Sequence, residues 1–387
     1  MTAALPSPVT TPLQAPHDDP SCSMSFSYVV QNPGDAAPIS RGRFHHSGTV
    51  NLRGANIVPF CTTVTTPGLT KIARQIRKLI IDFEDVHPTD DELELLCMTL
   101  LLCNSCTDLT LLGLPSAEFD GWMLRDTSFS LDRFVTNLSL TSKDVLDFLR
   151  RQPNITELST TSPPPHMVQP KSTYQHLPFP NEITPNLRSL DCPAPFLMSL
   201  LVATPPMRPL TNVRLDLNRL NSLVEMEALT ALSMLNATVE RLSLRRSVLR
   251  TSPALDSVVA LNMANVISRV ATKRQWSKLK FLEMRDGHYD SMSIPSLSQS
   301  ISTCFPHIET LVWAPASHPA GSTIVVPFIA SIFFTFCRSL RQFVFLDDAS
   351  DAENKKFISI AKEGTGKVVQ VQVTAEEVED MWKIESA

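Results

Sequence analysis

Cys103-Asn-Ser-Cys106 is the pair of thiols with the spacing of a metal or redox site. Structural zinc takes four N or S ligands, usually from two such pairs. No second pair and no nearby Cys/His set accompanies this one. Cys106 also occupies an apolar position of the strand pattern below, so both thiols are read as core packing and no metal is expected. Gly364-Thr-Gly-Lys367 has the composition of a phosphate loop. Aiming backbone amides at phosphate needs the order strand, loop, helix. The pattern places this segment after a helix and before a strand, so it is read as a helix stop with a solvated lysine. His45-His46 and His288-Tyr289-Asp290 are read as loop and turn residues. There is no G-x-S-x-G, HExxH or GxGxxG. Nothing in the sequence assembles a nucleophile, a base and an oxyanion donor, so neither an enzyme nor a cofactor is expected.

The composition narrows the class further. Of 387 residues, 43% are hydrophobic and 19% charged, which suits a large packed core. Lys plus Arg total 34 against 39 Asp plus Glu, a net charge of −5. Such a chain has no basic field for nucleic acid. No Lys or Arg precedes Arg41, whereas secretory and mitochondrial leaders need basic residues. The eight cysteines are then expected to be reduced thiols in a cytoplasmic or nuclear protein. The sequons at Asn137, Asn154 and Asn236 are read as chance matches. Residues 310–337 contain no Asp, Glu, Lys or Arg. Their strongly apolar part, from Thr323 to Cys337, is shorter than the roughly 20 residues of a membrane span. A core helix is expected there, with Phe328, Ile332 and Phe336 partly or wholly buried.

The elements that position these residues come from a repeat. The pattern φ-x-x-φ-x-φ, with φ apolar, begins at Ile76, Cys106, Leu131, Ile155, Leu187, Leu210, Val239, Leu279, Ile308, Leu340 and Val368. The mean spacing is about 29 residues. Of the 33 φ positions only Thr136 and Thr160 are polar. The last two φ positions of a unit lie two apart and so share one side of a short strand. Helices are expected after most strands, announced by capping boxes at Thr89/Glu92, Thr141/Asp144, Ser222/Glu225, Ser350/Glu353 and Thr374/Glu377. Leu255, Val258, Val259, Met263, Val266, Ile267 and Val270 form one helical face. A unit of three anchors cannot offset the ordering of some 29 residues, so neighbours must share a core. Residues 1–45 hold seven prolines and are expected to be a mostly disordered tail; 161–186 hold seven more and read as a surface loop.

Stacked strand–helix units of this length resemble leucine-rich repeats of the long, ribonuclease-inhibitor-like type. Cys103 and Cys337, each six residues before a strand anchor, resemble that family's cysteine at the helix end. Gly48-Thr-Val-Asn-Leu-Arg-Gly54, Ile57-Val-Pro-Phe-Cys61, Thr66-Pro-Gly-Leu69 and Ile76-Arg-Lys-Leu79 resemble the segment joining an F-box to its repeats in mushroom-type fungal proteins. The residues upstream of it are proline-rich and lack a three-helix apolar pattern. The resemblance implies an α/β solenoid over 46–387, of about eleven strand–helix units with a parallel sheet on the concave face. It also implies a protein-interaction role like that of the substrate-receptor half of a ubiquitin ligase, with a cullin adaptor as one partner. A free-standing scaffold and an enzyme with a loop site are the alternatives.

The concave face would carry the partner. Side chains flanking the last two φ positions offer Arg214 and Asp216 beside Asn212, then Arg241 and Arg245 around Ser243, then Glu283 and Arg285 after Phe281. Arg214, Asp216, Arg241, Arg245, Glu283 and Arg285 are the candidate partner-binding residues. Guanidinium groups beside the apolar strip Val312, Ala314, Val344 and Leu346 suit protein recognition. Ser243, between two core leucines, is expected to be exposed. The alternative is that the apolar end is covered from within, by residues 374–387 or by the N-terminal tail.

Overall fold

The computed structural model describes residues 48–84, 87–114, 121–161, 179–202, 208–217, 222–246, 267, 275–288, 292, 294–317, 325–348, 356–362 and 368–383. They form a single 13-stranded sheet in which strands follow one another in chain order. The strands are β1 (Thr49–Arg53), β2 (Lys78–Asp82), β3 (Asp108–Leu112), β4 (Arg133–Thr136), β5 (Glu157–Thr160), β6 (Ser189–Pro193), β7 (Asn212–Asp216), β8 (Arg241–Arg245), β9 (Phe281–His288), β10 (Thr310–Ser317), β11 (Gln342–Asp348), β12 (Lys356–Lys362) and β13 (Val368–Val373). Pairing is parallel from β1 to β11 and antiparallel from β11 to β13. The described helices are α1 (Ile57–Thr65), α2 (Thr70–Ala73), α3 (Asp90–Leu102), α4 (Lys143–Arg150), α5 (Ala194–Val202), α6 (Ser222–Leu232), α7 (Ile294–Cys304), α8 (Val326–Phe336) and α9 (Ala375–Lys383). This is an open, mostly parallel α/β architecture that grows like a solenoid, each unit touching its neighbours.

The middle φ position of ten units lies in one register across the sheet: Leu79, Leu109, Phe134, Leu158, Leu190, Val213, Leu242, Leu282, Leu311 and Phe343. All are buried, in one core with Leu93, Leu96 and Leu100 of α3, Val145 and Phe148 of α4 and Ile329 and Phe333 of α8. Parallel strands require a crossover between them, and helices on one face supply it. The core becomes aromatic toward the C-terminus, where Trp313 meets Phe333 and Phe345 edge-on at 6.0 and 5.5 Å.

Helix starts follow the expected chemistry in part. Thr89 and Glu92 form a reciprocal capping box, as do Thr374 and Glu377. The cap of α4 is Ser142, not Thr141, because the Ser142 hydroxyl accepts from the Val145 amide. Glu225 pairs with Arg246 at 3.0 Å. Ser350/Glu353 and, except for Ile267, the 255–270 face lie outside the described residues.

Several expectations are corrected. Phe328 is 64% and Phe336 42% exposed, while Ile332 is half-buried. The inward face of α8 is instead Val326, Ile329, Ala330 and Phe333. The eleventh unit is not a repeat: β13 is an antiparallel edge strand, and its anchors Val368 and Val371 are over half exposed. β12 separates it from unit ten, so Gly364–Lys367, outside the described residues, joins two strands and does not follow a helix. The segment 161–186 is not all surface loop. Phe179 and Ile183 are buried, and the Arg208 guanidinium donates to the Pro180 and Ile183 carbonyls at 2.7 and 3.0 Å. No described helix is long and apolar enough to cross a membrane.

Leu242 and Leu244 are buried as expected. Leu244→Ala should cost about 2–5 kcal/mol. Because each unit leans on the next, hydrogen exchange should also accelerate in β7 and β9. Equilibrium denaturation with exchange mass spectrometry measures both.

Candidate functional site

The sheet has a second face, turned away from α1 to α8, which is the face expected to carry a partner. It is made by the residues between and beside the core anchors. In β2 to β5 the residue before the middle anchor is Lys78, Asp108, Arg133 and Glu157, held opposite one another by the register. Charge alternates along this row. Lys78 Nζ lies 3.4 Å from Asp108, Arg133 lies 2.9 Å from Asp108, and Arg133 lies 3.2 Å from Glu157. Opposite charges on neighbouring strands stabilise such a ladder where like charges would oppose it. These four residues escaped the sequence reading although they occupy the same position as Asn212, Arg241 and Phe281 in later units. Applying that offset to the earlier units finds them.

The next row, between the two core anchors, becomes ionic in the middle of the sheet: Asp191, Arg214, Ser243 and Glu283 are consecutive cross-strand partners. Here Ser243 departs from expectation, with 0% exposure. Its side chain points away from the core, and its hydroxyl is 2.5 Å from the Glu283 carboxylate. What buries it is a covering layer on the open face. Glu283 is itself buried and pairs with Arg285, with Arg245 at 3.9 Å and with Arg214 at 3.8 Å. Burial pushes the Glu283 carboxyl up, but Arg285, Arg245, Arg214 and the Ser243 hydroxyl together hold it below its ordinary value. Asp191 goes the other way: burial raises it despite Arg214 and Arg245.

The covering layer is α9. Val378 and Trp382 pack on Phe281, Val312, Ala314, Val344, Leu346 and Phe357, an apolar cluster separate from the main core. This is the internal cover considered above, supplied by the C-terminal residues. Trp382 meets Phe281 edge-on at 6.0 Å, and the Arg214 guanidinium lies 4.7 Å from the centre of the Trp382 ring. Glu379 reaches all three arginines: it pairs with Arg214, lies 3.0 Å from Arg245 and 3.5 Å from Arg285. Burial raises the Glu379 carboxyl, and these guanidinium groups overcome it and hold it low. At the other end of the helix, Arg241 donates to the Met381 carbonyl at 2.6 Å. A cation there complements the partial negative charge of a helix C-terminus.

Of the six candidate residues, Arg214, Arg241, Arg245, Glu283 and Arg285 are thus brought together, but against α9. Asp216 stands opposite Arg245 in the register. The open face remains accessible on the N-terminal side of α9, where a groove of about 810 Å³ runs between Lys78 and Trp382, lined among others by Arg188, Asp191, Glu240 and Arg241.

Cys103 and Cys106 are buried in the main core, Cys103 as the C-cap of α3. Burial pushes the Cys106 thiol up to about 12, with Asp108 adding to it, and raises Cys103 further. Thiols held protonated are poor metal ligands and nucleophiles. No group of three His, Cys, Asp or Glu able to hold a metal ion occurs among the described residues. The sequence matches none of the known protein families, and no curated protein matches it.

Two outcomes follow from this geometry. Elemental analysis of protein purified under reducing conditions should find no stoichiometric zinc, and Cys103→Ala should cost about 1 kcal/mol. The ionic strip should give α9 an acid limit. Glu283 and Glu379 have folded-state pKa values below their ordinary 4.5. Their contribution is therefore complete above about pH 4.5 and is lost as the pH falls below it. Hydrogen exchange of residues 375–383 should accelerate over that window, and Glu283→Gln should flatten the response.

Proposed function

We propose that the chain is a non-enzymatic protein–protein interaction module of the leucine-rich-repeat kind, with the open face of the sheet as its working surface. The observation that carries this reading is the groove beside α9. Its ionisable groups are arranged as neighbouring opposite charges from different strands. They do not converge on one reactive atom, as the groups of a catalytic site do. A surface of this kind recognises a partner by charge complementarity and register, and gains specificity more than raw affinity from it. It disfavours polyanions, since each cation of the row already faces a carboxylate.

The partner class we favour is a protein delivered to a ubiquitin ligase. Support comes from the N-terminal segment that resembles the F-box linker, which forms β1, α1, α2 and β2 and so opens the sheet on the side of the free groove. A free-standing scaffold in the cytoplasm or nucleus is the second reading, favoured by the proline-rich composition upstream of that segment.

Affinity capture with quantitative mass spectrometry tests both. Lys78 and Arg188 line the groove and do not bond to α9. Reversing them together, Lys78→Glu and Arg188→Glu, should remove the captured partners while leaving the chain folded, with thermal unfolding lowered by about a few degrees because Lys78→Glu faces Asp108. Recovery of a cullin adaptor that survives the reversal supports the ligase reading; its absence supports the scaffold. An unchanged partner list from a folded variant would exclude the open groove as the working surface.

A further inference from the structure

Resting on the reading of the open face as a partner surface, we propose that the strip under α9 is a helix-docking site. Its resident occupant is α9, and its partner is a helix of another protein carrying the same pattern, an aliphatic–acidic pair followed one turn later by an aromatic, as in Val378-Glu379 and Trp382. The helix is seated by two of its side chains and one of its backbone carbonyls. Glu379 enters a triangle of Arg214, Arg245 and Arg285. Trp382 covers Arg214 and Phe281. Arg241 bonds to the Met381 carbonyl, which fixes the direction of the helix. Side-chain pattern and helix polarity are both specified, as in helix-in-groove recognition.

The resident helix is loosely owned. It has nine residues, fewer than the roughly 12–15 an isolated helix needs, so docking is what keeps it folded. Its connection runs through Thr374 to β13, an edge strand paired on one side with β12. It also satisfies the site incompletely. Arg214 is 5% exposed, yet its Nε, like that of Arg245, finds no hydrogen-bond partner among the described residues, and its Nη2 has only the longer 3.8 Å ion pair with Glu283. Buried donors left unpaired are costly. A partner helix that supplies an acceptor for them gains what α9 forgoes, and it displaces an occupant whose only other advantage is its tether.

The full chain tests this. In the double variant Glu379→Arg/Trp382→Ala the resident helix loses its two anchors. A stapled, labelled peptide of the sequence 374–387, added in trans, should bind that variant at least tenfold more tightly than it binds the unaltered chain. Glu379→Arg in the peptide should abolish binding. Equal binding to both proteins, or indifference to the charge change in the peptide, would overturn the proposal. Should the variant not fold, hydrogen exchange on the unaltered chain decides. Amides of 376–383 must open at least tenfold more often than those of β8 and β9, and opening only with global unfolding would refute a displaceable helix. The groove reversal at Lys78 and Arg188 leaves these contacts intact, so failure of the docking site and failure of the interaction reading are separable.

Discussion

The register of one row of side chains governs the molecule. From Leu79 to Phe343, ten successive strands place an apolar residue at matched positions, each at most 2% exposed. A parallel strand that slipped by one residue would turn its whole apolar set to the other face. Burial against the helices forbids that slip in every unit. The backbone repeats the same restraint. The amide before each strand's middle anchor bonds to the preceding unit, as in Asp108 to Arg77, Arg133 to Thr107, Glu157 to Asp132 and Arg241 to Thr211. Once the row is set, every residue one place earlier or later is delivered to the open face at a known height. The charge ladder and the ionic strip are therefore consequences of the core, and no loop has to be shaped to build them.

The C-terminal end poses a different problem. There the open-face positions become apolar, as Phe281, Val312, Ala314, Val344 and Leu346 replace the charges of earlier strands. An apolar patch of that extent on a monomer needs a cover. The chain supplies one by abandoning the parallel crossover after β11. Two antiparallel strands reverse its course, and α9 then lies on the opposite face from α1 to α8. The edge this creates, β13, carries no charge or proline in Val368–Val373 to discourage further pairing.

This also sets what could be read from the residues alone. The ten parallel units were legible because their anchors are long-lived signals: apolar, periodic and independent of context. β1 was missed because Ser47, at the first position of its pattern, is polar, although Val50 and Leu52 are buried like the others. β13 was misread for the opposite reason, since Val368, Val371 and Val373 satisfy the pattern in an antiparallel edge strand where Val368 and Val371 stay exposed and Val373 packs on the open-face cluster under α9. Ser243 shows the deeper limit. Alternation correctly turns its side chain away from Leu242 and Leu244, but whether that side meets water depends on a helix 130 residues later in the chain. The candidate arginines were legible as neighbours for the same reason as the core, while their partner Glu379 was not, because no local pattern connects α9 to β7.

The ionic strip is a poor device for stability alone. Pairing buried charges seldom outweighs the cost of removing them from water, and well-packed apolar residues of similar size do as well or better. The C-terminal end demonstrates that alternative within the same sheet, where Val312 and Val344 occupy the row that holds Arg214 and Glu283 on other strands. What charges add is selectivity: a helix that lacks the acid, or arrives in the opposite direction, leaves Glu283 to balance Arg214, Arg245 and Arg285 under a desolvating cover, which costs more than an imperfect apolar fit. The strip therefore discriminates among helices, and α9 bears the matching pattern because it must pass the same discrimination.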